Sequence, residues 1–159
     1  MRYILLCLIF FSLSYGVSFR ETRYSDAFNK SVEFHGDITF SQYGVAIKYN
    51  ENNKSILYDD GELELYDGEK ELLLDEYQQQ KMGAFLDILI LLHANNKREI
   101  EDIFNISKKS DIEVLLPKDE AKEYLKKIEL KRVGSEFAFI KLFFKNNDTI
   151  EIKIDDETN

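Results

Sequence analysis

Residues 54–76 read KSILYDDGELELYDGEKELLLDE, three short apolar stretches separated by Asp-Asp-Gly and Asp-Gly. Asp and Gly supply the positive φ that tight hairpin connections need, so the segment predicts strands folding back on one another as a β-meander. Leu63, Leu65, Leu72 and Leu74 alternate with Glu62, Glu64, Glu71 and Asp75. Side chains two residues apart share one face of a sheet, so the meander presents one apolar face and one acidic face. The apolar face has to be covered by something.

The rest of the chain says what is available to cover it. SFRETRYSD (18–26), VEFHGDITF (32–40) and GVAIKYN (44–50) carry strand-forming residues, and the first places Phe19, Glu21 and Arg23 on one face. At Tyr77 the period changes. YQQQKMGAFLDILILLHANNKREIEDIF predicts two helices broken near Ala94 to Asn96, with Phe85, Leu86, Leu89, Ile90 and Leu92 at helical spacing and a second apolar set at Ile100, Ile103 and Phe104. The first helix is apolar nearly all round between Phe85 and Leu92, interrupted only by Asp87, so it needs cover on more than one side. The run ILILL by itself also fits a buried strand. Strands return in DIEVLLP, YLKKIELKRV, EFAFIKLFFKN and TIEIKIDD, the last alternating Ile150, Ile152 and Ile154 with Glu151, Lys153 and Asp155. Strands, helices, then strands predict an α+β fold dominated by one antiparallel sheet, with the helical segment free to lie on its apolar face.

With 159 residues, 44% hydrophobic and 32% charged, the chain is long enough for one domain with a substantial core. A formal net charge of −9 argues against nucleic acid, whose phosphates call for clustered Lys and Arg. The opening MRYILLCLIFFSLSYG has one Arg, an apolar run from Ile4 to Leu13, and small residues at Ser14 and Gly16. That layout predicts a secretory signal over 1–16, cleaved after Gly16, with a run too short to span a bilayer comfortably. Cys7 falls inside the apolar run, so no lipid anchor is expected. Its removal with the signal leaves 17–159 as a single cysteine-free domain, with no disulfide or thiol chemistry, which suits a bacterial periplasm.

Catalytic signals are absent from the residues. His35 and His93 are the only histidines, and neither G-x-S-x-G nor H-E-x-x-H occurs. The acids around Asp59 and Asp60 fail the calcium-loop pattern because Gly61 falls where a ligand is needed. The chain therefore reads as no enzyme, with no cofactor and no metal site.

NKSILYDDGELELYDGEKEL (53–72) resembles the strand, DG turn and strand of LolA-type outer-membrane lipoprotein carriers. DIFNISKKSDIEVLLPKDEAKEYLKKIEL (102–130) is similar to their later helix end, strand, L-x-P and strand, and FRETRYSD resembles the short LolA-related proteins that begin F-x-E-x-R. The resemblance implies an incomplete, strongly curved antiparallel half-barrel whose concave apolar face is covered by helices. It further implies a periplasmic chaperone that shields the acyl chains of a lipoprotein or lipid in transit from an inner-membrane exporter to an outer-membrane acceptor, as a monomer with only transient membrane contact. The alternative on the same fold is a sensor or exporter-docking protein that binds lipid without transporting it.

Periodicity alone makes Leu63, Leu65, Leu72, Leu74, Phe85, Leu86, Leu89, Ile90, Leu92, Ile150 and Ile152 an ordinary core. With the resemblance they become the lining of a hydrophobic cavity, where each shielded methylene contributes about 0.8 kcal/mol. A movable lid over such a cavity should pack less completely than a core helix. The main carriers have a proline and an arginine in the strand before the DG segment. SQYGVAIKYN has neither, and Lys48, a point charge without Arg's planar fork, is the nearest base and the candidate for contacting cargo. Finally, Asn53 in ENNKS is an N-x-S acceptor with an acid two places upstream, a glycosylation candidate of the kind bacterial oligosaccharyltransferases favour.

Overall fold

The structure, a computed structural model, describes residues 16–155. The signal expected over 1–16 lies outside them except for Gly16. Among the described residues five strands come first: β1 (Val17–Ser25), β2 (Lys30–Phe40), β3 (Gly44–Tyr49), β4 (Lys54–Asp59) and β5 (Glu62–Asp67). A two-residue strand β6 (Lys70–Glu71) leads to helices α1 (Glu76–Ala94) and α2 (Lys97–Ile103). The second half holds β7 (Phe104–Lys109), β8 (Ile112–Pro117), a short 3-10 helix (Asp119–Glu123), β9 (Leu125–Val133), β10 (Glu136–Phe144) and β11 (Thr149–Ile154).

All eleven strands form one curved antiparallel sheet in the order β6-β5-β4-β3-β2-β1-β11-β10-β9-β8-β7. Every neighbouring pair but one is a hairpin or meander step. The exception is β1 with β11, where Phe19 to Tyr24 pair with Ile154 to Thr149 and join the two halves of the chain. The sheet does not close, because β6 and β7 stand at its two edges. The chain passes from one edge to the other through α1 and α2, so the helices bridge an open sheet.

Local chemistry explains the boundaries. Asp60 and Gly61 both have positive φ, 47° and 83°, the geometry that turns β4 into β5 without splaying the strands. Asp75 caps α1 by accepting from the Gln78 backbone N–H at 2.8 Å, while the Gln78 side chain accepts from the Asp75 N–H, a reciprocal capping box. Asn95 ends the helix in the left-handed region at φ 54°, which Asn tolerates better than most residues. The break expected near Ala94 to Asn96 is therefore present, and ILILL is helical.

Two expectations are corrected. The third arm of the meander stops after two residues, so Leu72 and Leu74 sit in the connector to α1 rather than on the sheet. Leu72 N–H still bonds the Leu65 carbonyl at 2.7 Å, but the chain then turns away towards the Asp75 cap. Phe104 does not extend the helical apolar set either. It opens β7, an edge strand whose only sequence signal was Ile106 between polar residues.

The core lies on one face of the sheet. Phe19, Ile38, Ile47, Ile56, Ile128, Leu130, Ile140, Leu142 and Ile152 point to it from seven strands, and Leu86, Ile88, Leu89 and Leu92 of α1 join the same cluster. Leu86 and Ile88 lie on nearly opposite sides of the helix and both are buried, so α1 is covered on more than one side.

Candidate ligand-binding face

Three contacts fix α1 against the sheet. The Tyr58 hydroxyl on β4 donates to Asp87 Oδ1 at 2.7 Å, and burial, then the hydrogen bond to Asp87 and its charge, push the Tyr58 phenol up to about 12. Gly83 lies one turn earlier on that side of the helix, where an added Cβ would meet the Tyr58 ring edge and hydroxyl at 3.7 Å. On the other arm, Arg132 Nη2 donates to the Leu92 carbonyl at 2.9 Å, and that carbonyl lies in the last turn of α1. Between these, the His93 ring stacks on Phe40 with centroids 3.9 Å apart, and Phe137 closes edge-on at 6.2 Å from His93. Burial lowers the His93 pKa, the nearby Arg132 charge acts the same way, and Glu136 opposes both.

The residues expected to line a cavity separate into three groups. Leu86, Leu89, Leu92 and Ile152 are at most 1% exposed. Leu63, Leu65, Phe85, Ile90 and Ile150 are half-buried and pack against the outside of that cluster. Leu72 and Leu74 are half-buried in the connector, outside the cluster, with Leu73 between them 90% exposed. The helix is thus tightly packed at its centre and C-terminal end. Phe85, Ile90 and Leu91 are only half-buried, and the first turns of α1 are looser still, since residues 76–81 are all exposed.

Lys48 stands on the other face. Ile47 and Tyr49 on either side of it are buried, so alternation turns Lys48 to the outer surface, where it lines a depression of about 600 Å³ with Asp37, Thr39, Ala46, Ser55 and Tyr66. Asn53 is exposed at φ 52° in the β3–β4 turn, with its carbonyl accepting from Gly68 N–H at 3.0 Å.

At the end of the apolar face away from His93 lies a charged group that belongs to no catalytic or metal-binding motif. Glu21, in the middle of β1, is 1% exposed. Its carboxylate accepts from the Tyr49 hydroxyl at 2.7 Å and from Arg23 Nε, and Arg23 Nη2 donates to the Tyr49 oxygen at 3.0 Å. The Arg23 guanidinium also lies over Phe34, 5.2 Å from the ring centroid, and 5.9 Å from that of Tyr49. Burial works against the Arg23 charge, but the hydrogen bond and charge of Glu21 outweigh it and the net pKa shift is upward. Tyr49 is raised by burial first and by Glu21 second. Half of the signal was in the sequence, since Glu21 and Arg23 alternate onto one face, but the other partner of the acid, Tyr49, comes from β3.

Solved structures are similar to this chain, two of them as follows. One is a LolA superfamily protein from Nitrosomonas europaea, at 8% identity and TM-score 0.41 over 90% of this chain and 84% of that one. The other is a putative outer membrane lipoprotein-sorting protein domain from Vibrio parahaemolyticus, at 9% identity and TM-score 0.38 over 89% and 83%. Neither likeness is close enough to assign a family or a function. No protein-family model and no curated protein sequence matches the chain. Among the described residues, no helix is long and apolar enough to cross a membrane and no cluster of three metal-ligating side chains occurs.

Proposed function

We propose that this protein is a non-catalytic carrier that shields the acyl chains of a lipid or lipoprotein between the apolar face of its open sheet and α1. The observation that carries the reading is that apolar side chains at the margin of the core, Leu63 and Leu65 on β5, Phe85 and Ile90 on α1 and Leu72 and Leu74 in the connector, are left only half-buried. An ordinary core would finish at such a border with polar side chains, whereas this one leaves apolar groups there.

In this reading the face beneath α1 is the concave side of the half-barrel and the closed state is the one described. The space is filled by Leu86, Leu89 and Leu92, so admitting a chain requires the helix to lift. The N-terminal end is where it lifts first, because only exposed residues precede Met82 on the helix and the Tyr58–Asp87 hydrogen bond is the first polar tie from the helix to the sheet. Lifting exposes apolar area at about 25 cal/mol per Å², and an acyl chain laid in the gap restores it. Cargo and helix then compete for one surface, which allows both loading and release. The proposed setting is the bacterial periplasm, with an inner-membrane exporter and an outer-membrane acceptor as partners, the protein itself a monomer after loss of residues 1–16.

The test has two parts. Lipids extracted from protein purified gently from its native host and identified by mass spectrometry should include an acyl compound in stoichiometric amount. Protein stripped of lipid should then bind a fluorescent fatty-acyl probe, and Phe85→Ala should weaken that binding severalfold. A stripped wild type that binds no acyl probe would make these side chains an ordinary core.

A further inference from the structure

We infer that Arg23 is the headgroup site for an anionic amphiphile whose acyl chain lies along the apolar face, an inference that rests on the acyl-binding reading above. Arg23 occupies the end of that face opposite the His93–Phe40 stack, and along β1 it lies about 20 Å from Val17, at some 3.3 Å per strand residue.

The geometry points to an oxyanion. Among the described residues, Arg23 uses two of its five N–H groups, Nε to Glu21 and one from Nη2 to Tyr49. The remaining three belong to Nη1 and Nη2, the fork that pairs bidentately with a carboxylate or phosphate. The fork is already held in place, since Glu21, Phe34 and Tyr49 constrain the guanidinium and little ordering is left for a ligand to bring about.

Glu21 neutralises the pair overall but does not guard it. Its side chain is 1% exposed against 46% for Arg23, so a group arriving from solvent meets the cation first. A cationic head would meet repulsion here.

The surroundings require an apolar portion as well. The residues paired with Arg23 across the sheet are Val32 and Ile150, the first 42% exposed and the second half-buried, both on the apolar face. A small hydrophilic anion would leave that surface in water, while an amphiphile covers it and continues under α1. Lipid phosphates, fatty carboxylates and free phosphate share the oxyanion chemistry, and only the first two bring the chain.

The experiment compares lysophosphatidate with a monoacylglycerol of the same acyl chain, and both with inorganic phosphate, by calorimetric titration of lipid-stripped protein below the micelle concentration. Wild type should bind lysophosphatidate at least about tenfold more tightly than the monoacylglycerol, the range of a charge-assisted bidentate pair. Inorganic phosphate should not compete at equal concentration. The ratio should collapse towards one in Arg23→Gln and in the double variant Glu21→Gln/Arg23→Gln. The double variant leaves no unpaired buried charge and decides the matter if the single one fails to fold.

Equal affinity for the two lipids in wild type, or a preference that survives in the double variant, overturns the assignment while leaving acyl binding intact. Arg23-dependent binding of inorganic phosphate as tight as that of lysophosphatidate overturns the amphiphile and makes the site one for free oxyanions. Failure of wild type to bind either lipid overturns this inference together with the carrier reading.

Discussion

The Tyr49 hydroxyl donates to Glu21 Oε2 at 2.7 Å within the apolar face of the sheet, joining residues 28 apart in sequence across β1 and β3. A carboxylate at 1% exposure is tolerable there only because both of its oxygens are engaged, one by Tyr49 and the other by Arg23. Tyr49→Phe leaves one oxygen unsatisfied and should cost about 1–3 kcal/mol in urea unfolding. Arg23→Ala should cost about 1–3 kcal/mol as well, less than the ~3–5 of a fully enclosed pair because the guanidinium is half-exposed. Glu21→Gln/Arg23→Gln should recover part of that loss. Equal destabilisation by the single and double variants would mean that the pair is not coupled.

The Tyr58–Asp87 hydrogen bond is the polar tie nearest the loose end of α1. Tyr58→Phe should cost only about 0.5–1.5 kcal/mol overall, the usual net value of one hydrogen bond. Its main effect should be local. Amide hydrogen exchange across 82–92 should accelerate while β9 and β10 keep their protection, as read by mass spectrometry. Uniform acceleration over the whole chain would show that α1 does not open independently.

Leu89 and Phe85 test the division between the enclosed and half-buried parts of the helix. Leu89 is completely enclosed, so Leu89→Ala should cost the ~2–5 kcal/mol of a sealed core site. Phe85, half-buried at the margin of the core, should cost less in stability on truncation and more in acyl-probe affinity. Denaturant unfolding and probe titration of the two variants, each stripped of lipid, separate the quantities. The opposite ranking in both measurements would remove Phe85 from the proposed binding route.

His93 makes stability depend on acid. Its pKa in the folded protein is depressed, chiefly by burial, below the unfolded value of about 6.5. The folded state therefore holds His93 neutral, and the unfolded chain takes up the proton first as pH falls. The associated stability is complete above about 6.5 and is lost as pH drops from there through the folded-state value. Urea midpoints at about pH 7.5 and pH 5 should differ more for wild type than for His93→Gln. An identical pH dependence in the two would place the acid sensitivity elsewhere.

Asn53 stands in an exposed turn in a left-handed conformation, as a glycan acceptor should. In a host with an oligosaccharyltransferase that requires an acid two residues upstream, glycopeptide mapping should find Asn53 occupied and the other N-x-S/T acceptors, Asn29, Asn105 and Asn147, which lack that acid, bare. An unoccupied Asn53 in such a host ends the idea.

Much of this architecture was legible residue by residue. The Asp60-Gly61 turn, the Asp75–Gln78 capping box, the left-handed Asn95 and the alternation of Ile150, Ile152 and Ile154 are local devices, each acting within a few residues of itself. Strands before α1, two helices and strands after α2 follow from them. The position of Lys48 on the outer face was also implicit, since its neighbours Ile47 and Tyr49 alternate inward. What the local pattern misplaced were Leu72 and Leu74, where a good alternation ended in a helix cap, and the start of β7, where Phe104 follows Ile100 and Ile103 at helical spacing and only Ile106 remains to mark the edge strand.

The sequence by itself determined which side chains are apolar, where the chain turns, and that an α+β sheet would have one face to bury, because these depend on torsional preference and on period along the chain. Only the tertiary structure decided that β1 pairs with β11, that α1 and α2 carry the chain between the two edges of an unclosed sheet, and that Tyr49 closes over Glu21. Each of those facts depends on residues tens to more than a hundred positions apart, and a contact of that kind is selected by the free energy of the whole assembled sheet rather than by any segment of it.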